Sequence, residues 1–244
     1  MEISPLLIYE QGLRENNEDA YCCGKIDDTQ FFIVCDGVGG IQKGEVASNL
    51  ACQTIANYIQ KNKLSTSYEK YINDMIKFVD SEFDLYFLSD PQALGMGTTL
   101  ALLILSGKQA IAAHIGDSRI YHIRKNKILF ETRDHSLVNI LIDNGIITKK
   151  EAENHPQKNV ITKAIQGKII KQDKADIQII SDIRQGDYFF LCSDGVLESI
   201  DSNELVQILA SENMDEKKIG EIKKRCEAQS KDNFTAILVP VRTL

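Results

Sequence analysis

Apolar residues along the chain fall into short blocks whose spacing predicts both strands and helices. Residues 30–35 (QFFIVC) are apolar almost throughout and predict a buried strand. Residues 45–60 and 68–88 place apolar side chains at helical spacing, and Pro91 ends the second helix. Between residues 99 and 132, short apolar runs alternate with turn residues, which predicts an antiparallel meander.

The second half of the chain continues this mixed pattern. A mostly polar helical segment is predicted over about 135–166, with Gly145 and Pro156 as breaks. We then expect strands near 176–181 and 188–192, helices near 203–210 and 215–229, and a last strand over 235–241. Two blocks of antiparallel strands with helices between them favour an α+β sandwich over alternating βαβ units. No linker or repeat divides the sequence, so residues 1–244 are expected to form a single domain.

Composition narrows the possible functions. The hydrophobic fraction of 43% is ample for a sizeable core. A net charge of −7 argues against a nucleic-acid groove, which needs a basic face. An acidic balance also suits a carboxylate-lined metal site, although many cytosolic proteins are mildly acidic.

The cysteines and the apolar runs indicate the compartment. Six cysteines show no CxxC pair and no regular spacing, which argues against a disulfide framework and predicts a reducing, cytoplasmic location. A phosphatase with a cysteine nucleophile needs an arginine shortly after the cysteine, and residues 192–198 contain none. No signal peptide is evident, and the apolar stretch 100–105 is far shorter than the roughly 20 residues of a membrane span, so we expect a soluble protein.

Five short motifs each place an aspartate beside glycine, asparagine or serine. They are RENNED at 14–19, VCDGVGG at 34–40, GDSR at 116–119, CSDG at 192–195 and KDNFT at 231–235. Three of these aspartates follow apolar runs that predict buried strands. Carboxylates that converge at strand ends repel one another and lose solvation unless a cation lies among them. A hard divalent cation with oxygen ligands meets this need, so the motifs predict a metal-dependent hydrolase.

Each motif also has an ordinary explanation, because Asp-Gly, Gly-Gly and Asp-Asn pairs are common in turns and caps. The run at 36–40 is not a phosphate-binding P-loop, since no Gly-Lys-Ser/Thr follows it. Histidine is absent from the motifs, except for His135 beside Asp134, and an all-oxygen site favours Mg²⁺ or Mn²⁺ over Zn²⁺. We expect His114 and His122, which lie inside predicted strands, to be structural.

Arg14 is the one cation in an acidic set, and two roles stay open for it. It can pair with Glu18 four residues on, which is a weak surface contact. Alternatively, its planar guanidinium can hold a substrate phosphate bidentately beside the metals.

Taken together, the order and spacing of the motifs resemble the metal-dependent protein phosphatase family, the type 2C serine/threonine phosphatases. The resemblance extends from Gly12 to Val241. Its motifs are RxxNED, DGxGG, GTT at 97–99, GDSR, TxDHS at 132–136, SDG and DN, in that order. A segment near 133–166 resembles the flap of the compact bacterial members.

The resemblance implies a fold and a metal centre. The fold would be a four-layer α-β-β-α sandwich with two central antiparallel sheets. Two Mn²⁺ or Mg²⁺ ions would be bridged by Asp36, with the Gly37 carbonyl on one ion and Asp194 and Asp232 on the other. Asp117 and Asp194 would hold a weaker third ion.

The same resemblance implies the reaction. Arg14 would receive the phosphate, and Glu18 and Asp19 would lie in the outer shell of the metal centre. Two neighbouring ions can lower the pKa of a bridging water and neutralise phosphate oxygens. That water would hydrolyse phosphoserine or phosphothreonine in proteins. The implied partners are phosphorylated proteins, including a bacterial serine/threonine kinase, without nucleic acid or membrane, and the protein would be a monomer.

The sequence departs from the family at a few positions. Some members have a general-acid histidine where Val38 stands here, so a metal-bound water or solvent must protonate the leaving group. In the flap, Lys158, Lys163 and Gln166 stand where relatives often have arginine, arginine and glycine. We expect these flap residues to bear on flap conformation and on the choice of protein substrate, and not on the chemistry.

Two other functions compete with the phosphatase interpretation. One is a catalytically silent module of the same fold that binds phosphorylated partners, although such modules usually lack a metal aspartate and this chain has them all. The other is a metal-dependent nuclease, which the acidic balance disfavours.

Overall fold

A computed structural model describes residues 3–38 and 43–242. Within them, antiparallel strands form two sheets, with the strand order β1-β11-β10-β7-β8 in one and β2-β3-β5-β6-β9 in the other, where the short β4 pairs with β3. The strands are β1 Leu6–Glu10, β2 Asp19–Ile26, β3 Thr29–Val38, β4 Gly97–Thr98, β5 Leu100–Ser106, β6 Gln109–Ile115, β7 Arg119–Arg124, β8 Lys127–Glu131, β9 Asp176–Ile180, β10 Asp187–Cys192 and β11 Phe234–Pro240.

The α-helices of the described residues are α1 Gly44–Lys61, α2 Tyr68–Ser89, α3 Leu137–Asp143, α4 Lys149–Glu153, α5 Asp194–Leu197, α6 Ser202–Ala210 and α7 Asp215–Gln229. All but α3 and α4, which belong to the flap, cover the outer faces of the two sheets. Apolar side chains of α1 and α2 pack on the sheet that contains β3, and those of α5, α6 and α7 pack on the other sheet. A third apolar cluster joins the two sheets. The predicted four-layer α-β-β-α sandwich is therefore confirmed.

Strand β3 shows why its sequence is apolar without alternation. Phe31, Ile33 and Cys35 pack toward the helices, whereas Phe32 and Val34 pack toward the second sheet. Successive side chains of a strand point to opposite faces, so a strand covered on both sides needs apolar residues at every position.

The first three strands differ from the sequence prediction. Strand β3 runs on to Val38, so Asp36 and Gly37 lie inside the strand instead of beyond it. Strands β1 and β2, which the hydrophobic pattern did not predict, carry polar and partly exposed residues between their apolar ones. Both are edge strands of their sheets, where weaker hydrophobic patterning is sufficient.

The flap is less helical than predicted. Helices α3 and α4 end before Gly145 and Pro156, so both predicted breaks are confirmed. Beyond α4, the prediction of helix to residue 166 is wrong, because residues 154–166 form turns and isolated bridges. One isolated antiparallel bridge joins Ser136 to Ile161 within the flap. A second joins Ile165 to Thr98 and so connects the flap to strand β4.

The cysteines are free thiols, and Cys35 and Cys192 are buried in strands, as the sequence predicted. No helix of the described residues is long and apolar enough to cross a membrane.

Candidate metal centre

Strand pairing places the first acidic residues of the site side by side. Asp19 lies opposite Asp36 in the register of β2 and β3. The backbone N–H of Asp36 donates to Thr99 Oγ1 at 2.9 Å, and its carbonyl accepts from Thr98 Oγ1 and from Thr99 N–H, each at 2.9 Å. Three hydrogen bonds therefore fix the backbone that carries Asp36.

Asp194 approaches from the other sheet. It stands in the first turn of α5, directly after β10, and it lines the same cavity as Asp36. Burial raises the pKa of the Asp36 carboxyl, and the proximity of Asp194 raises it further, because two neighbouring carboxylates repel each other when both are ionised.

Asp232 and Arg14 form the outer edge of the site. Asp232 Oδ1 accepts from the Asn233 N–H at 2.8 Å, and its Oδ2 accepts from Arg14 Nη2 at 2.6 Å. The ion pair of Arg14 is therefore with Asp232, and the surface pairing with Glu18 that the sequence left open is not the one formed among the described residues. The Arg14 side chain is 59% exposed, so a ligand can still reach it.

Asn233 holds the loop that carries Arg14, a role that the sequence analysis did not assign. Its Nδ2 donates to the carbonyls of Gln11 and Asn16 at 2.7 and 2.8 Å, and its Oδ1 accepts from the Glu18 N–H at 2.8 Å. An asparagine amide can satisfy donors and acceptors of a loop at once, but no pattern in the sequence distinguishes Asn233 from an ordinary turn residue.

Asp19 lies beneath the site and is buried. Ser193 Oγ donates to Asp19 Oδ2 at 2.7 Å, and the same Oγ accepts from the Thr235 N–H at 3.0 Å. Asp19 thus ties β2 to the strand ends that carry Asp194 and Asp232.

Asp117 lies in the turn between β6 and β7. The preceding Gly116 has a φ of +92°, a left-handed conformation that favours glycine. On the other side, Ser118 Oγ and Thr99 Oγ1 are 2.6 Å apart, so the turn is fastened to the residue that also supports Asp36.

The pKa values show the electrostatic cost of this arrangement. Burial raises the pKa of Asp194 to about 6 and those of Asp19 and Asp117 to about 7, and neighbouring carboxylates add to each effect. Burial and nearby acids also raise the pKa of Asp36 well above its usual range. Divalent cations would relieve both the desolvation and the repulsion, so the all-oxygen donor set fits Mn²⁺ or Mg²⁺.

These residues line one cavity of about 700 Å³. Its lining includes Arg14, Glu18, Asp36, Gly37, Asp117, Asp194 and Asp232, together with Val38 and flap residues 159–161. A second cavity of about 890 Å³ adjoins it between the flap and α5 and shares Asp117, Asn159 and Asp194. The structure therefore brings together every predicted site residue, with Asp19 buried beneath the others.

Close backbone contacts also shape the site, and Gly195 gives a direct test. A Cβ at this position would lie 2.0 Å from the Asn233 carbonyl oxygen. Gly195→Ala should push α5 away from Asp232, lowering the free energy of unfolding by about 1–3 kcal/mol and weakening Mn²⁺ binding. Thermal unfolding and calorimetric titration would measure both effects.

Gly220→Ala is the matched control, because its added methyl group meets no atom within 4 Å. In helix α7 it should stabilise the protein by up to about 1 kcal/mol and leave Mn²⁺ binding unchanged. Equal Mn²⁺ affinity in the two alanine variants would contradict the proposed role of the Gly195 contact.

The fold and the carboxylate cavity together define a metal-dependent hydrolase. A protein phosphatase 2C family model matches residues 12–221, and the chain belongs to this family.

The serine/threonine phosphatase stp of Listeria monocytogenes is 34% identical over 234 residues, which cover 93% of this chain and 91% of that protein. Among solved structures, serine/threonine phosphatase Stp1 from Staphylococcus aureus matches with a TM-score of 0.90 and 30% identity, covering 100% of this chain and 96% of that one. The catalytic domain of PstP in complex with two manganese ions matches with a TM-score of 0.83 and 25% identity, covering 99% of each chain.

These comparisons confirm the class of enzyme predicted from the sequence. The chain is a metal-dependent protein serine/threonine phosphatase, and its cofactor is Mn²⁺ or Mg²⁺.

Proposed function

We propose that the cavity of about 700 Å³ is the active site, where water hydrolyses phosphoserine and phosphothreonine in protein substrates. The observation that carries this proposal is the convergence of Asp36, Asp117, Asp194 and Asp232 around one cavity with Arg14 at its edge. The acids come from both sheets, so the site exists only in the folded protein.

The acidic residues take separate roles. Asp36 would bridge two ions, the Gly37 carbonyl would serve one of them, and Asp194 and Asp232 would serve the other. When bound, these ions supply an activated water and neutralise the phosphate oxygens. Asp117 together with Asp194 would hold a weaker third ion.

The surrounding residues orient the site. Glu18 and Asp19 belong to the outer shell, where Asp19 holds Ser193 at 2.7 Å. Val38 lines the cavity and carries no proton to donate, so the proton for the departing serine or threonine oxygen comes from water.

The proposed activity is tested by measuring phosphate release from a phosphothreonine peptide with Mn²⁺, with and without excess chelator. We expect turnover that requires the metal. Binding of the phosphopeptide with no turnover at any Mn²⁺ concentration would favour the silent binding module instead.

Arg14 is proposed to anchor the phosphate of the substrate. Arg14→Ala should raise KM for the phosphopeptide by about tenfold or more, because a hydrogen bond to a charged group contributes about 1.5–3 kcal/mol. Arg14→Lys keeps the charge but not the planar pair of donors, so it should recover only part of the loss.

The control for Arg14 is Arg184→Ala. Arg184 also pairs with an aspartate on the surface, Asp182, at 2.8 Å, and it lines neither cavity. Steady-state kinetics should show an unchanged KM for this control, and an unchanged KM in Arg14→Ala would disprove the anchoring role.

We also propose the cellular setting. The substrates would include a bacterial serine/threonine kinase that the enzyme opposes, and the enzyme would act as a cytoplasmic monomer. Six free cysteines support a reducing compartment. Sedimentation of the purified protein and phosphoproteomics of cells without it would test the monomer and the kinase, respectively.

A further inference from the structure

A second cluster of titratable side chains lies outside the metal cavity, at the end of the flap. The rings of His114 and His135 stack with centroids 4.6 Å apart and an angle of 2° between planes. His135 Nε2 lies 3.2 Å from Asp176 Oδ2, and Lys163 Nζ lies 3.0 Å from both Asp176 Oδ1 and His135 Nε2. None of these four residues takes part in the reaction described above.

Two histidines and an aspartate could in principle bind a transition metal, and their ligand atoms lie within 4.8 Å of one another. The hydrogen bonds argue against this use. The Gly116 N–H donates to His135 Nδ1 at 3.1 Å, so Nδ1 acts as a hydrogen-bond acceptor and is not available to a metal. The other ring nitrogen, Nε2, faces the Lys163 ammonium at 3.0 Å, which already places a positive charge where a metal ion would bind.

His135 instead connects two parts of the chain. Its backbone N–H donates to the Gly116 carbonyl at 2.9 Å, so backbone and ring together hold both polar groups of Gly116. On the flap side, the His135 carbonyl accepts from the Thr162 N–H at 2.7 Å, next to Lys163.

The backbone of the turn at Gly116 has little freedom to change its conformation. Gly116 adopts a φ of +92°, and a Cβ on it would lie 2.6 Å from Thr99 Cγ2. The next residue, Asp117, lines the metal cavity. A shift of Gly116 would therefore move Asp117 directly.

We infer that His135 is a positioning residue, which fixes the Gly116–Asp117 turn through its Nδ1 acceptor and links that turn to the end of the flap at Thr162 and Lys163. The expected effect of His135 on metal binding rests on the proposed role of Asp117. The hydrogen bond between Gly116 and His135 does not depend on that role, because it is present in the metal-free protein.

Two substitutions of His135 distinguish the role of its Nδ1 acceptor from that of the rest of the ring. In His135→Asn, the amide oxygen can occupy the place of Nδ1 and still accept from Gly116, whereas in His135→Gln the amide reaches only the place of Nε2. Hydrogen exchange followed by NMR in metal-free protein should show the Gly116 amide exchanging about tenfold faster in His135→Gln than in wild type. In His135→Asn the rate should stay close to that of wild type.

The Phe190 amide, in the core of the five-stranded sheet, reports global opening in the same experiment. Faster exchange at Gly116 with no change at Phe190 supports local positioning. Equal acceleration at both amides would show a general loss of stability and overturn the inference, as would equal Gly116 rates in both variants. If His135→Gln does not fold, loss of Gly116 protection in a folded His135→Asn also overturns it.

Mn²⁺ binding gives the functional readout. Calorimetry should show the weakest Mn²⁺ site losing about tenfold in affinity in His135→Gln, with little change in His135→Asn, because residues that orient a metal ligand typically contribute this much. His155→Asn, a substitution of a flap histidine away from the turn, should match wild type. Identical titrations for all variants would overturn the link to Asp117, whereas failure of the proposed function would appear as an inactive wild-type enzyme.

Discussion

Replacing Asp36 with asparagine should reduce turnover of a phosphothreonine peptide by about a thousandfold. Metal ions contribute several kcal/mol of charge stabilisation to the transition state, and each 1.36 kcal/mol is a factor of ten in rate. Asparagine fills the same volume but cannot bridge two cations. The measurement is steady-state phosphate release at saturating Mn²⁺.

The same substitution should not lower the stability of the metal-free protein. The pKa of Asp36 is raised by burial and by the neighbouring Asp19, Asp194 and Asp117, so its ionised form destabilises the metal-free fold. Asp36→Asn removes that repulsion and should leave the metal-free melting temperature equal or higher. A ligand that binds only the folded state stabilises it, so Mn²⁺ should raise the melting temperature of wild type far more than that of the variant.

Asp74→Asn is the control for both measurements. Asp74 lies on the surface of α2, where it pairs with Lys70 at 2.7 Å, and it should change neither turnover nor the response to Mn²⁺. An Asp36→Asn variant that keeps wild-type turnover, or is stabilised equally by Mn²⁺, would rule out the bridging role.

Asp187→Ala should lower the free energy of unfolding by about 3 kcal/mol or more, although Asp187 is remote from the reaction. The carboxylate is buried and accepts from His122 Nε2 at 2.8 Å, Arg124 Nε at 2.6 Å and the Arg184 N–H at 2.9 Å. Removing one partner from a buried ion pair leaves the others uncompensated, which typically costs about 3–5 kcal/mol. Urea unfolding would measure the loss.

The matched control is Asp182→Ala, which removes another partner of Arg124, at 3.2 Å, but from a side chain that is 63% exposed. Its effect should stay below about 1 kcal/mol. Similar losses in the two variants would show that burial does not decide the strength of this network.

The pKa of Asp187 also makes the stability of the protein depend on pH. Burial alone would raise the pKa of Asp187, but hydrogen bonds from Arg124 and His122 outweigh it and the net effect lowers the pKa. A lowered pKa in the folded state adds stability above the pKa of the unfolded chain, and this is lost as the pH falls through the folded value. The stability gap between wild type and Asp187→Ala should therefore narrow below about pH 4.

The hydrophobic pattern predicted the elements correctly where a strand is buried on both faces or a helix is buried along one face. The strand at 30–35, the helix at 68–88 and the meander over 99–132 are predicted within a few residues of β3, α2 and β5–β8. It failed at the edge strands β1 and β2, and over residues 154–166 of the flap. In these regions backbone hydrogen bonds to neighbouring strands and loops hold the chain, and no hydrophobic periodicity records them.

Some residues of the candidate site could likewise be predicted from the sequence, and others could not. The aspartate motifs were visible in sequence because an all-oxygen metal site requires carboxylates, and their order carried the family resemblance. The supporting contacts of Asn233 to the Arg14 loop and of His135 to Gly116 were not visible. Asparagine and histidine have too many ordinary roles for a residue type alone to reveal such contacts.

The sequence by itself determined the class of fold, the metal-binding chemistry and the family, because hydrophobic periodicity and the order of the acidic motifs can be read directly along the chain. Only the tertiary structure decided that Arg14 pairs with Asp232, that Asp36 and Asp194 from the two sheets line one cavity, and that His135 accepts a hydrogen bond from Gly116, next to Asp117. Each of these arrangements joins residues separated along the chain, and its energy depends on burial and distance, which exist only after the two sheets have packed.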